Sequence, residues 1–224
     1  CNEACIGYEE ESGGTVTVTG TDAEWYLGSS LFVGDGGDGS LLVENVGSVH
    51  VVGDTYLGRG GEGLVVISGG IGSFDSDTWV GNDGRGILRV ENGGDAYFGG
   101  VTRVGSGSGG LSGYLYVIGD TSRAAFTNVL VGESSEMSTF GGEMSVNAGA
   151  DVTVSGYLRV GKGGGTGSLT VTGAGSTLSV TGDSLIVGYQ SSGNTMSIYE
   201  GGVVNAGSVG IGSTSSASSD NTLT

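Results

Sequence analysis

Apolar and polar residues alternate with period two in short runs, and the runs recur along the chain. Val16-Thr17-Val18, Leu41-Leu42-Val43, Leu64-Val65-Val66, Leu88-Arg89-Val90, Leu115-Tyr116-Val117, Met144-Ser145-Val146, Leu169-Thr170-Val171 and Met196-Ser197-Ile198 all read apolar-x-apolar. Alternation of this kind marks a strand with one face turned inward. A glycine turn follows each run, as at Gly93-Gly94, Gly173-Ala174-Gly175 and Gly201-Gly202. Next comes a second alternating strand, such as Val49-His50-Val51 or Leu178-Ser179-Val180, then a third. The third strand ends at Val33-Gly34, Leu57-Gly58, Val80-Gly81, Val104-Gly105, Val131-Gly132, Val160-Gly161, Val187-Gly188 and Ile211-Gly212. Successive glycines of that set are 24, 23, 24, 27, 29, 27 and 24 residues apart. A period in this range dictates the architecture before any other signal does.

Three strands this short would form only marginal hairpins. Coiled into one turn, each strand pairs in parallel with its counterpart in the next, about 4.7–4.9 Å away. The prediction is an all-β, right-handed parallel β-helix, a β-solenoid of about eight turns of roughly 24–29 residues and about 40 Å long. The strict six-residue beat of left-handed hexapeptide helices is absent. No helix is expected beyond a short cap. Residues 1–14 read as an acidic cap outside the repeat, and 15–224 as a single solenoid domain ending in a half-turn.

Composition narrows the class. The chain holds 51 Gly, no Pro, 36% hydrophobic residues and a net charge of −17. Collagen needs proline and a three-residue glycine period, so it is excluded. Disorder is at odds with regular apolar alternation. Seven cations against 24 carboxylates make nucleic acid a poor partner. No apolar run reaches the ~20 residues that a membrane-spanning helix needs, so no membrane insertion is expected. No signal segment opens the chain, and the expectation is a mature, secreted or surface-attached protein.

The rung VTGAGSTLSVTGDSLIVG alternates with rungs such as MSIYEGGVVNAGSVGIG. Thr172-Gly173-Ala174-Gly175-Ser176-Thr177-Leu178 carries the first type and Gly20-Thr21-Asp22-Ala23-Glu24-Trp25 is a looser copy; Asn92-Gly93-Gly94 and Glu200-Gly201-Gly202 carry the second. This pairing resembles the glycine-rich strand repeats of bacterial autotransporter passengers and related surface adhesins, over roughly residues 15–224. The resemblance implies the β-helix fold and a cell-surface habitat, with repeats that serve mostly as spacers. There is no membrane β-barrel here, and the chain is short for that class.

Chemistry-bearing residues are sparse, and no catalytic residue, metal site or cofactor is expected. The only histidine, His50, makes a Ser-His-Asp or Cys-His set implausible unless distant residues meet by folding. Asp75, Asp77 and Asp95 lie on the second and third strands of neighbouring turns, where convergence would let them act as an acid–base pair or hold Ca²⁺. Gly34-Asp35-Gly36-Gly37-Asp38-Gly39 is similar to calcium-binding nonapeptide repeats, but those recur every nine residues and this occurs once. A threonine ladder of ice-binding type is rejected, because the outward first-strand column is not regular. Cys1 and Cys5 are the only cysteines; a disulfide within the cap is the leading reading, with lipid modification of Cys1, intermolecular bonds or free thiols as alternatives.

The outward column of the third strand is more informative. In-register stacking places Phe32, Tyr56 and Trp79 on three successive turns, with Arg103 able to lie over Trp79 as a cation–π pair. A second apolar strip is expected outside the first strand, at Leu42, Val65, Ile67, Tyr116 and Ile118. These lateral surfaces would rigidify the rod, contact another copy, or bind glycan or matrix. At the ends, Ser218-Ser219-Asp220-Asn221-Thr222-Leu223-Thr224 repeats Ser191-Ser192-Gly193-Asn194-Thr195-Met196-Ser197. The chain thus stops inside the first strand of a ninth turn. An uncovered solenoid end templates pairing. The axial interface is expected to join Asn221 and Leu223 to Val16 and Val18 of a second copy, giving an open filament. The reading is a non-enzymatic extracellular filament subunit; an adhesin segment is the first alternative and a polysaccharide-acting enzyme the second.

Overall fold

The computed structural model describes residues 3–106, 113–134, 141–212 and 219–224. Among them there is no helix, and every strand of a turn pairs in parallel with its counterpart in the next. The molecule is a β-solenoid of about eight turns, as the repeat predicts. First strands form one sheet of nine: Gly13–Thr19, Asp38–Glu44, Glu62–Ser68, Arg85–Glu91, Gly113–Ile118, Gly141–Asn147, Thr166–Thr172, Thr195–Tyr199 and Thr222–Leu223. Second and third strands share the other sheet. Second strands run from Glu24–Leu27, through Ser48–Val51 and Ile71–Phe74, to Asp151–Val154, Thr177–Val180 and Val203–Ala206. Third strands run from Glu3–Ile6, through Ser30–Val33, Thr55–Leu57 and Thr78–Asn82, to Leu158–Lys162, Leu185–Tyr189 and Val209–Ile211. In the two middle turns the second and third strands fuse into Asp95–Ser106 and Arg123–Glu133. A register shift between Phe98 and Val101, at Gly99-Gly100, keeps both halves in step.

The core is a set of inward ladders, one residue per turn. One runs Val16, Leu41, Val65, Leu88, Leu115, Met144, Leu169, Met196, Leu223. Another runs Val33, Leu57, Val80, Val104, Val131, Val160, Val187, Ile211. A third contains Phe74, Phe98 and Phe126, whose rings stack with centres 5.0 and 4.7 Å apart. Where Phe74 needs room, its neighbour two residues back is Gly72: a Cβ there would lie 2.5 Å from Ile67 Cδ1.

The Val-Gly beat has a steric cause. All eight glycines of the set have φ between 69° and 85°. At Gly132 (φ 72°) a Cβ would lie 2.0 Å from the carbonyl oxygen of Thr166 in the next turn, so only glycine lets the third strand corner into the first. Ile6-Gly7 is a ninth member: Gly7 has φ 70°, and Gly34 N–H donates to the Ile6 carbonyl.

Two sequence expectations need correction. Glu3–Ile6 lies in the segment read as a cap outside the repeat, yet it pairs residue for residue with Ser30–Val33 and is part of the coil. Ile6-Gly7 stands 27 residues before Val33-Gly34, a step within the repeat, but among the described residues no first or second strand precedes it to complete its turn. Val65 and Ile67, expected to face outward, are both 0% exposed. Leu64 to Ile67 is a continuous apolar run whose phase alternation alone does not set. Pairing of Gly63 with Gly39 and Gly86 sets it, turning Val65 and Ile67 inward.

Candidate binding surfaces

The outward column of the third strands begins at Cys5, continues through Phe32, Tyr56, Trp79 and Arg103, and goes on to Leu130, Arg159 and Ile186. The structure brings the four expected lateral residues together. Phe32 and Tyr56 ring centres are 5.0 Å apart at 5°, Tyr56 and Trp79 are 4.5 Å apart at 8°, and Arg103 Cζ lies 4.9 Å from the Trp79 ring centre. Arg103 is fixed by Asp77 at 2.8 Å and Glu133 at 3.2 Å, and Lys162 also reaches Glu133. At the other end Arg59 Cζ lies 4.2 Å from the Phe32 ring centre while pairing with Asp35. That hydrogen bond to Asp35 raises the Arg59 pKa further above its ordinary value. Burial, then Asp54, pushes the Tyr56 hydroxyl up.

This geometry decides what the column offers a ligand. A pyranose stacks on a free aromatic face, and here the facing ring faces of Phe32, Tyr56 and Trp79 are taken by one another and, at Trp79, by Arg103. Phe32 is only 5% exposed. The column is therefore a stiffening seam, with edges rather than faces toward solvent. Cys5 heads it as a free, exposed thiol. Burial first, then Asp35 and Glu3, raises its pKa and disfavours the reactive thiolate. The expected disulfide also involves Cys1, which lies outside the described residues.

The acidic candidates are drawn into separate local contacts. His50 Nε2 and Asp75 Oδ2 are 2.9 Å apart, and the Ser73 hydroxyl donates to Asp75 Oδ1 at 3.2 Å. The fold thus gathers Ser, His and Asp, but the hydroxyl bonds the carboxylate and not the imidazole. The order needed to activate a serine nucleophile is not formed. Asp77 accepts from Val101 N–H at 2.8 Å and from Arg103, while Asp95 pairs in register with Ile71 and Arg123. The three aspartates do not converge. In the Gly34–Gly39 loop, Asp35 holds Arg59 and Asp38 accepts the Glu62 N–H at 3.0 Å. Among the described residues no group of three His, Cys, Asp or Glu side chains is placed to hold a metal ion.

The two end faces differ from the sides. At the C-terminal end the core ladders surface: Val203, Val209, Ile211 and Leu223 are 46%, 49%, 45% and 44% exposed, although Val209, Ile211 and Leu223 sit in inward positions. Asn194 and Asn221 stand in the column that is glycine in earlier turns. The Asn194 amide accepts from Gly167 N–H at 2.7 Å and donates to Ser191 Oγ and Asn221 Oδ1, both at 2.8 Å. Asn221 Oδ1 also accepts the Asn194 N–H at 3.1 Å. At the N-terminal end Val16, Trp25 and Leu27 are half-buried and Val18 is buried. Trp25 occupies an inward ladder that continues as Val49, Gly72 and Ala96, so the bulkiest side chain lies at the end of that column. No family model, no curated protein and no solved structure matches this chain.

Proposed function

We propose that the protein is a non-enzymatic structural rod, secreted or held at the cell surface, that lengthens by head-to-tail stacking of copies through its end faces. The observation that carries this reading is the open C-terminal cross-section, where Val209, Ile211 and Leu223 continue buried ladders into solvent. Water-exposed core positions and an unpaired strand edge are the two features that a further parallel turn removes. On a second copy, Gly13–Thr19 offers the edge that meets Thr222–Leu223, placing Val16 in the ladder of Leu223, and Glu3–Ile6 offers the edge that meets Val209–Ile211.

The joint has a defined imperfection. Among the described residues the first-strand and third-strand columns hold nine strands each and the second-strand column eight. A joint therefore leaves a slot one strand deep between Val203–Ala206 and the incoming Glu24–Leu27. Trp25 points into the core beside this slot and supplies volume there. Both ends are acidic, since no Lys or Arg precedes Arg59 and none follows Lys162. Stacking is opposed at low salt and released as ionic strength screens the repulsion, with a Debye length of about 10 Å at 0.1 M.

Sedimentation velocity over a concentration series in low and moderate salt tests this. The wild-type chain is expected to grow into larger species as salt and concentration rise, and Leu223→Lys to stay a folded monomer. A wild-type chain that is monomeric at every concentration, as it would be if flanking turns of a longer protein cover these faces, overturns the reading.

A further inference from the structure

The rod's cations point to a second surface. Six of the seven are engaged among the described residues: Arg59 with Asp35, Arg85 with Glu62, Arg89 with Glu91, Arg103 with Asp77 and Glu133, Lys162 with Glu133, and Arg159 between the rings of Tyr157 and Tyr189 at 4.4 and 4.1 Å. Arg123 is the exception. It stands on the outer face of the second strands between Asp95 and Asp151 in adjacent turns, yet its guanidinium has no ion-pair or hydrogen-bond partner among the described residues. Next to it is the ring that differs most from the closed seam of Phe32, Tyr56 and Trp79. Tyr97 is 50% exposed, and its ladder neighbours are Ser73 on one side and Ala125 on the other. Both are too small to cover it. No ring or cation lies on Tyr97 among the described residues.

Beyond Tyr97 the same outward column continues as Ala125, Thr153 and Ser179. These short side chains floor a depression of about 320 Å³ whose rim includes Asp95, Arg123, Asp151 and Thr177. That volume is at the lower end of the range for small-ligand sites. We infer that an extended, uncharged oligosaccharide binds along the rod axis over this groove and the adjoining Tyr97, with Tyr97, just outside the depression beside Ala125, as the stacking platform and Arg123 with its flanking carboxylates as the hydroxyl-binding group. The chemistry fits at each point. The axial C–H face of a pyranose packs on an aromatic face that nothing else occupies. A planar guanidinium donates in a fork, and a carboxylate beside it accepts, which suits vicinal hydroxyls. The floor hydroxyls of Thr153 and Ser179 add donors and acceptors without height. Charge selects against acidic sugars, because two carboxylates flank the one cation and the whole chain carries −17. This site lies on the side of the rod and does not rest on end-to-end stacking.

The test is titration calorimetry of the full chain with three hexamers: β-linked glucose, β-linked N-acetylglucosamine and galacturonate. At least one neutral hexamer is expected to bind saturably, with little change between low and moderate salt, and galacturonate not to bind. Tyr97→Ala and Arg123→Ala are each expected to weaken binding about tenfold, and Tyr97→Phe to leave it within about twofold because the stacking face is kept. Both side chains are exposed, so circular dichroism should show the variants folded as wild type. Binding of neither neutral hexamer, preference for galacturonate, or binding untouched by Tyr97→Ala overturns the inference.

Discussion

Truncating one rung of the central ladder measures how strictly the coil's register is obeyed. Leu169 is 0% exposed and sits between Met144 and Met196 in adjacent turns. Leu169→Ala removes a methine and two methyl carbons from a column whose neighbours above and below are fixed by backbone pairing, so the void collapses poorly. Cavity formation of this kind costs about 2–5 kcal/mol. If the coil unfolds as one unit, its unfolding entropy at the midpoint is about 0.47 kcal/mol per kelvin, and the midpoint falls by roughly 4–11 °C. If only the turns beyond the lesion come apart first, as solenoid energetics allow, the first transition falls further and the melt broadens. The control is Thr170→Ala on the same strand, whose side chain faces outward in register with Ser145 and Ser197 and should change stability by no more than about 0.5 kcal/mol. Circular dichroism melts and denaturant titrations read both. Equal shifts for Leu169→Ala and Thr170→Ala would refute the inward assignment of this ladder.

Two further expectations concern groups that the fold holds against their preference. Thr55, Thr78 and Thr102 form a buried ladder in which no hydroxyl has a hydrogen-bond partner among the described residues, so Thr78→Val, which keeps the shape, should leave stability unchanged or raise it by about 1 kcal/mol; a loss of similar size in denaturant titration would mean that the hydroxyl is used. Tyr56 has its pKa raised above 10.0 by burial and by Asp54, so the contribution of its neutral form is fully present below pH 10.0 and is lost as pH rises through the folded value. Melting midpoints of Tyr56→Phe should therefore fall less than wild type between pH 9.5 and 11, and parallel curves would contradict this.

Much of the fold was legible because one feature, a glycine that alone permits the third-strand corner, repeats at every turn. Gly34 through Gly212 fix the period, and the period fixes which residues stack, which is why Phe32, Tyr56, Trp79 and Arg103 could be aligned from sequence. The failures share a cause. Where the local pattern has no contrast, as in Leu64 to Ile67, phase comes from pairing with Gly39 and Gly86. At Glu3–Ile6 the Gly7-to-Gly34 step of 27 residues lies within the repeat, but the strand stands alone, with no first or second strand before it among the described residues. The repeated Ser-Ser-x-Asn-Thr segments were visible, but that Asn194 substitutes for a column glycine, bonding Gly167 with its amide, depends on the altered corner. The groove beside Tyr97 was illegible for a different reason: an open ring, and an Arg123 without an ion-pair partner among the described residues, are defined by what neighbouring turns fail to cover. Ser73 and Ala125 lie 24 and 28 residues away from Tyr97 in the chain.

If the ends of this rod are its assembly surfaces, as we propose, electron microscopy of the purified chain at moderate salt will show it. Direct pairing of Thr222–Leu223 with the next copy's Gly13–Thr19 makes each copy contribute nine rungs, so filaments one rod wide with an axial repeat of about 43 Å are predicted. Leu223→Lys should abolish them while leaving single rods. Filaments that persist in that variant with the same width and repeat, or dispersed single rods in the wild type, would contradict the claim.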